Sequence, residues 1–384
     1  MKRYEADILV VGGGFMGAAA AFFLRRRGRT VILVEQGLIG QQASGVNFGN
    51  VRRQGRFLPQ LPLANRSREI WGKLKELLGE DAEFLPTGHL RICYDPAQIG
   101  FIERYAEEAK DYGLELEILT AQAVRARFPF IGPEAIAGSY SPHDGHANPR
   151  LAAPAFGRAA ARAGAQVFEN TEIVSIGKAG EDFVAEARDG RTFRAPVALV
   201  TAGAWGGLLS CQFDESVPAE VHGPQMAVTE PLPYRIKPVL GVSTKIPEEV
   251  VYLRQVERGN VVFGGGLRGP AYPDLRRAYA LPERLVHQLR QIRRIVPALG
   301  NARVIRTWSG IEGYLSDDIP IMGASARVAG LYYAFGFCGH GFQLGPGVGD
   351  VMAELIDRGA TTTPIEPFQI RRFAAQAADR AATV

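Results

Sequence analysis

The stretch from Asp7 to Glu35, DILVVGGGFMGAAAAFFLRRRGRTVILVE, constrains the fold more than any other part of the chain. Two unbroken apolar runs, ILVV and VILV, enclose a Gly-rich turn and an Ala-rich segment of helical length. Strands without polar alternation belong in a parallel sheet covered on both faces, so the stretch reads as strand, turn, helix, strand. Gly12, Gly14 and Gly17 have the spacing GxGxxG, directly after the first strand and at the opening of the helix. There the first glycine permits a tight turn, the second lets the backbone approach a pyrophosphate, and the third lets helix and strand close up. The helix N-terminus, with Phe15 and Met16, presents backbone N–H groups and the positive end of its dipole to the phosphates. Glu35 ends the second strand, where a carboxylate accepts from both ribose hydroxyls, with Gln36 beside it. This pattern specifies a dinucleotide without saying which.

The run from Ile8 to Leu24 carries no charge, but four glycines interrupt it and Glu5 and Asp7 precede it. That argues against a membrane span or a signal peptide. The 384 residues are expected to fill two domains. Lys and Arg are scattered, and the densest patch, RRRGR at Arg25–Arg29, falls at a helix end where cations suit the dipole, so nucleic acid is not an expected partner. Cys93, Cys211 and Cys338 form no metal-type spacing. No metal site is expected, and a reducing, cytoplasmic setting fits.

Further along, NRSREIWGKLKELLG reads as a helix, GHLRICY as a strand, and residues 97–112 as an amphipathic helix. Asn148 and Pro149 open another helix. EARDGRTFR reads as a hairpin turning at Asp-Gly, PVALVTAG as an apolar strand, and VVYLRQVERGNVVFGGG as a second hairpin. Nucleotide-type pattern at the start, middle and end, with antiparallel-type pattern between, implies a discontinuous nucleotide domain with a second domain inserted twice.

Two features point past a nicotinamide enzyme. After Glu35 comes a polar, Gly-rich loop containing Ala43, Ser44, Gly45, Asn47, Gly49 and Asn50, too long for a simple connection, and so expected at the cofactor. Near the other end, YYAFGFCGHGFQLGPGVG carries six glycines between Gly336 and Gly349, a second Gly-rich turn between strand and helix.

In these motifs the chain resembles the D-amino-acid-oxidase-type FAD-dependent oxidoreductases, a group that includes glycine and sarcosine oxidases and D-amino-acid dehydrogenases. The resemblance rests on VVGGGFMGAAAAFFLRRRG, ASGVNFGNVR, LVTAGAW, SDDIPIMG and GFCGHGFQLGPGVG, in that order. GPQMAVTEPLP, RGNVVFGGGLRG and WSGIEGYLSDDIPIMG look closest to the catalytic subunits of opine and hydroxyproline dehydrogenases and of hydrogen cyanide synthase. The resemblance implies an α/β fold: an FAD-binding Rossmann-like domain of glutathione-reductase type from residues 1–85, 144–218 and 300–384. The substrate domain, an inserted α+β antiparallel sheet, would take 86–143 and 219–299. It implies FAD, long enough to need both turns. The second turn would set Gly339, His340, Gly341, Phe342 and Gln343 against the isoalloxazine, ahead of a helix starting near Leu344. Val174 would reach the adenine through its backbone, and Ala202, Gly203 and Trp205 would pass the pyrophosphate and ring, although Trp205 fits ordinary core equally well.

Departures from the family pattern bear on substrate and acceptor. Glu312 stands where glycine-oxidase-like members carry an Arg for the substrate carboxylate, and Gln343 where sarcosine-oxidase-like members carry a Lys. The carboxylate would then fall to Arg52, Arg53 or Arg254, while His340 and Tyr252 orient the amine. Glu312 would face a cationic substrate group or pair with one of those arginines. Val262 replaces the Lys that promotes reaction with oxygen, and Gly310 the Cys of covalent attachment, so non-covalent FAD is expected. The implied reaction is hydride transfer from a carboxylate-bearing amine (amino acid, imino acid or opine), giving an imine that hydrolyses. Electrons would pass to a quinone or a partner subunit of a hetero-oligomer; peripheral membrane contact stays open. The alternatives are an oxidase producing hydrogen peroxide and a flavin-bearing subunit without activity of its own.

Overall fold

The computed structural model describes residues 2–373; the last part of the third nucleotide segment, 374–384, lies outside the described residues. The strands Ile8–Val11 and Val31–Val34 pair in parallel around the helix Phe15–Arg26. They form the middle of a six-stranded sheet with Ile321–Ala324, Leu331–Phe335, Val197–Val200 and Gln166–Phe168. Only the edge strand Ile321–Ala324 runs antiparallel to its neighbour. Every residue of Ile8–Val11 and Val31–Val34 is buried, as their unbroken apolar runs require.

A second, eight-stranded sheet joins Val304–Ser309, Gln225–Pro231, Asn260–Gly265, Val251–Gln255, Val239–Val242, His89–Cys93, Ala137–Ser141 and Glu117–Thr120. It is antiparallel except where Val239–Val242 and His89–Cys93 run side by side in parallel. Period-two alternation gives it two faces. Leu90, Leu240, Leu253 and Phe263 pack against Ile292 and Ile295 of the helix Pro282–Ile295, while Arg91, Gly241 and Tyr252 face the other way, into a cavity.

The hairpins expected at Asp189–Gly190 and Glu257–Asn260 form, with Gly190 and Gly259 in the left-handed region. Three details differ from the sequence reading. The helix expected at NRSREIWGKLKELLG starts at Leu61 and breaks at Lys73 into Leu61–Gly72 and Leu74–Leu78. Val304–Ser309, inside the segment assigned to the nucleotide domain, bonds instead to Gln225–Pro231 as the edge of the eight-stranded sheet. The C-terminal helix spans Gly341–Arg358, so Gly341, Phe342 and Gln343 already lie in its first turn.

Several glycines of that last segment have a use unrelated to a ligand. A Cβ on Gly345 would meet Phe15 Cγ at 2.5 Å, and one on Gly349 would meet Ala19 Cβ at 2.4 Å. Four residues apart, they form one face along which the helix Gly341–Arg358 closes onto Phe15–Arg26. Arg66 ties the same helix to Leu61–Gly72 through Asp350 and Glu354, at 2.6 and 2.7 Å.

Candidate active site

One cavity of ≈ 680 Å³ runs between the carboxyl ends of the parallel strands and the face of the eight-stranded sheet that carries Tyr252. Ligands of open α/β sheets bind at those carboxyl ends. Among the candidate residues named from the sequence, Gly17, Gly45, Arg53 and Arg254 do not line it; the others do.

At the first turn, Gly12 has φ +110°, and a Cβ there would meet the Thr201 carbonyl oxygen at 2.6 Å. A Cβ on Gly17 would stand 1.9 Å from the Gly12 carbonyl oxygen, which explains why Gly17 lies beneath the turn rather than in the cavity. Thr201 Oγ1 donates to the Gly12 carbonyl at 2.7 Å, locking the turn to the end of Val197–Val200. Glu35 does more than end its strand. Its carboxylate accepts from the N–H of Gly13 at 2.6 Å and of Gly37 at 2.8 Å. Burial nevertheless pushes its pKa up, outweighing both bonds. Each oxygen retains capacity for one further bond.

The loop after Glu35 folds as a short helix, Ala43–Val46. Ser44 Oγ accepts from the Phe15 N–H at 2.9 Å, and Asn47 closes the loop through the carbonyls of Ala43 and Ser44 and the N–H of Gly49. Trp308 Nε1 donates to the Val46 carbonyl at 2.7 Å. Gly310 touches the same residue: a Cβ there would be 2.0 Å from Val46 Cγ2. Asn50 Oδ1 is buried without a partner.

The two Gly-rich turns abut. A Cβ on Gly341 would come within 2.9 Å of Met16 Cε, and the Phe342 and Phe15 rings are 5.5 Å apart. Gly339 has φ +78° with open space where a side chain would stand. His340 Nδ1 is buried without a partner. Burial and the nearby guanidinium groups of Arg52, Arg56, Arg268 and Arg91 hold its pKa well below the usual histidine range, so the ring is neutral at neutral pH. Gln343 is tied down: its Nε2 donates to the Ala64 carbonyl at 2.8 Å, while its Oε1 lies buried without a partner.

Beyond this turn the cavity becomes strongly cationic. Arg52, Arg56, Arg91 and Arg268 all line it. Arg52 Nη1 donates to the Gln54 carbonyl at 2.6 Å, and Arg56 reaches the carbonyls of Arg52 and His340 at 2.9 and 3.2 Å. Arg91 Nη1 lies so close to Gly55 that a Cβ there would be 2.1 Å from it. Burial, then repulsion from Arg52, lowers Arg56 to about 9 and Arg91 to about 10, so both stay charged at neutral pH. Arg268 lies over the Tyr314 ring, 3.6 Å from its centroid. Among the described residues neither Arg91 nor Arg268 has a protein hydrogen-bond acceptor.

Glu312 is the carboxylate that Arg268 acts on, whereas Arg52 and Arg56 feel Asp144, and Glu312 pairs with none of Arg52, Arg53 or Arg254. It accepts from the Gly339 N–H at 2.8 Å and the Tyr314 hydroxyl at 2.9 Å. Burial pushes its pKa up, against those two bonds and Arg268. Two of the expected carboxylate anchors are corrected as well. Arg254 donates to the Phe48 carbonyl at 2.7 Å and abuts His146, behind the cavity wall. Arg53 is paired with the fully buried Asp144 at 3.3 Å. Sequence reasoning missed Arg56, Arg91 and Arg268. Arg91 had a signal: it is the polar residue between Leu90 and Ile92, which alternation sends to the opposite face.

A model of the FAD dependent oxidoreductase family matches residues 7–355. Glycine oxidase of Geobacillus kaustophilus is 28% identical over 375 residues, covering 95% of this chain and 97% of that one. An opine oxidase subunit of Rhizobium meliloti is 26% identical over 388 residues, covering 98% and 100%. The crystal structure of L-proline dehydrogenase from P. horikoshii superposes with TM-score 0.90 at 28% identity, covering 97% of this chain and 99% of that one. The protein is a flavoenzyme by fold and site. This chain belongs to the FAD dependent oxidoreductase family, and its cofactor is FAD. The residues present fit that group: a glycine cradle with no room for side chains at one turn, open space over Gly339 at the other, and unpartnered polar atoms on Asn50, His340 and Gln343 between and beside them. Among the described residues no metal-type cluster occurs, and no helix is long and apolar enough to cross a membrane.

Proposed function

We propose that the enzyme oxidises the carbon–nitrogen bond of a carboxylate-bearing amine: an amino acid, imino acid or opine. The observation that carries this reading is the group formed by Arg52, Arg56 and Arg91 beside a neutral His340. FAD, when bound between the two Gly-rich turns, supplies the acceptor for a hydride from the carbon next to nitrogen. The arginine fork of Arg91, with no acceptor of its own among the described residues, suits two-point binding of a carboxylate. His340, kept neutral, meets the uncharged amine that this oxidation requires without repelling it. The substrate loses a C–H hydride and an N–H proton to become an imine, and water then releases the carbonyl compound and an amine. Positioning carries the rate here, with no strong base needed.

Electrons are proposed to leave to a quinone or a partner subunit rather than to oxygen. Among the described residues the cavity lining contains no lysine, and Val262, at the position of the oxygen-promoting Lys, packs with Phe48, Met226 and Val239. The relative named as one subunit of an opine oxidase supports a hetero-oligomer. FAD is proposed to be non-covalent, since Gly310 has no side chain to bond it and Val46 fills the space where one would stand.

The test is anaerobic bleaching of the flavin by glycine, sarcosine, proline, D-amino acids and opines, beside amines that lack a carboxylate. Bleaching confined to carboxylate-bearing amines is expected, followed by faster reoxidation by a quinone than by oxygen. Equal bleaching by simple amines would overturn the substrate class. Rapid peroxide formation would make it an oxidase, and no bleaching at all would favour a subunit without activity. Acid precipitation should leave the yellow colour in solution.

A further inference from the structure

The cationic end of the cavity contains two separate groups of charge. Arg52, Arg56 and Arg91 form the first, carried by the loop after Val51 and by the strand His89–Cys93. Arg268 forms the second, on the loop leading into Gly269–Tyr272, in the small sheet that also holds Glu312–Leu315. Glu312 acts on Arg268 through space but forms no ion pair with it; its two oxygens accept instead from Gly339 and from Tyr314. Stacking on the Tyr314 ring uses the face of the guanidinium and leaves its N–H edge available. His340 lines the same cavity within Coulombic reach of both groups. Arg268 is exposed and lines the cavity, so its free N–H edge is open to an anion entering from solvent.

Resting on the amine-oxidation reading above, we propose that the substrate carries two carboxylates, one on each side of the nitrogen. Arg91 and Arg52 hold the first, and Arg268 on Tyr314 holds the second. The class is an N-(carboxyalkyl) amino acid or related iminodicarboxylate. Glu312, beside Arg268, then repels a carboxylate that strays toward Gly339 and keeps the second acid at the guanidinium edge.

Iminodiacetate and sarcosine make a matched pair, differing only by one carboxylate. On the holoenzyme, kcat/KM for anaerobic flavin reduction should be at least tenfold higher for iminodiacetate. Arg268→Gln should bring that ratio close to one, and Arg268→Lys should recover part of it. Equal rates for the two amines, or equal losses on both in Arg268→Gln, would overturn the proposal. Thiodiacetate and (methylthio)acetate, which have sulfur in place of the oxidisable amine, separate binding from reaction. Wild-type holoenzyme should bind thiodiacetate at least tenfold more tightly, read from the flavin spectrum. Tighter thiodiacetate binding without oxidation of any amine would sink the amine reading alone. Equal affinities would sink the two-carboxylate site, whatever the activity.

Discussion

Glu312 Oε1 accepts the backbone N–H of Gly339 at 2.8 Å, joining the strand Glu312–Leu315 to the second Gly-rich turn. The Tyr314 hydroxyl holds the other oxygen, so the carboxylate is a clamp on that turn. Gly339 sits in the left-handed region with no side chain to pack, which makes this bond a main restraint on its position.

Glu312→Ala should therefore loosen FAD. Loss of a hydrogen bond to a charged group, about 1.5–3 kcal/mol, corresponds to roughly a tenfold or greater fall in affinity. Glu312→Gln keeps an acceptor for Gly339 and should restore most of it. Flavin titration of the apoprotein measures both; equal losses in the two variants would contradict the clamp.

Gly310 and Val46 should behave as a coupled pair. Gly310→Ala drives a methyl into Val46 Cγ2 and displaces the loop that Trp308 holds, so overpacking of about 1–3 kcal/mol should appear as weaker FAD binding. Val46→Ala, combined with it, should restore affinity. Additive losses in the double variant would mean that the two residues do not share the site.

Arg91→Gln removes a charged fork but keeps hydrogen-bonding groups. Losing charge-assisted bonds of about 1.5–3 kcal/mol should lower kcat/KM for carboxylate-bearing amines by roughly ten- to a hundredfold. Flavin binding should change far less, because the arginine sits beyond the second turn. An unchanged kcat/KM would remove Arg91 from substrate recognition.

Acid should destabilise the fold early. Burial holds His89 and His340 well below the usual histidine range, and burial beside Arg254 takes His146 to about 3. Below about pH 6.5 an unfolded chain protonates these rings while the folded one does not, so stability is retained above that pH and falls as pH drops. Each histidine contributes a slope approaching about 1.4 kcal/mol per pH unit. Glu35 and Glu312, with raised values, act oppositely above the ordinary glutamate range. Denaturant unfolding at pH 6.5 and 5.5 measures the net slope, and a histidine variant isolates one ring's share. His146→Gln should remove about one histidine's share of the slope, and a wild-type slope in that variant would exclude His146.

The sequence by itself determined the parts whose physics is local. A GxGxxG turn between unbroken apolar strands has one stable use, and Asn148–Pro149 or Asp189–Gly190 set a helix start and a hairpin with few neighbours involved. The second turn was legible as a cofactor turn, yet Gly345 and Gly349 turned out to serve helix packing against Phe15 and Ala19, which nothing in the local pattern distinguishes. Tertiary structure alone decided the substrate end. An arginine's sequence neighbours do not say whether its long side chain meets a buried acid, as Arg53 meets Asp144, or a carbonyl, as Arg254 meets Phe48. Arg91, on a strand, and Arg268, on a loop far along the chain, line one cavity only after the sheets have formed. Coulomb energy depends on distance and burial, and both are set by contacts between residues far apart in the chain.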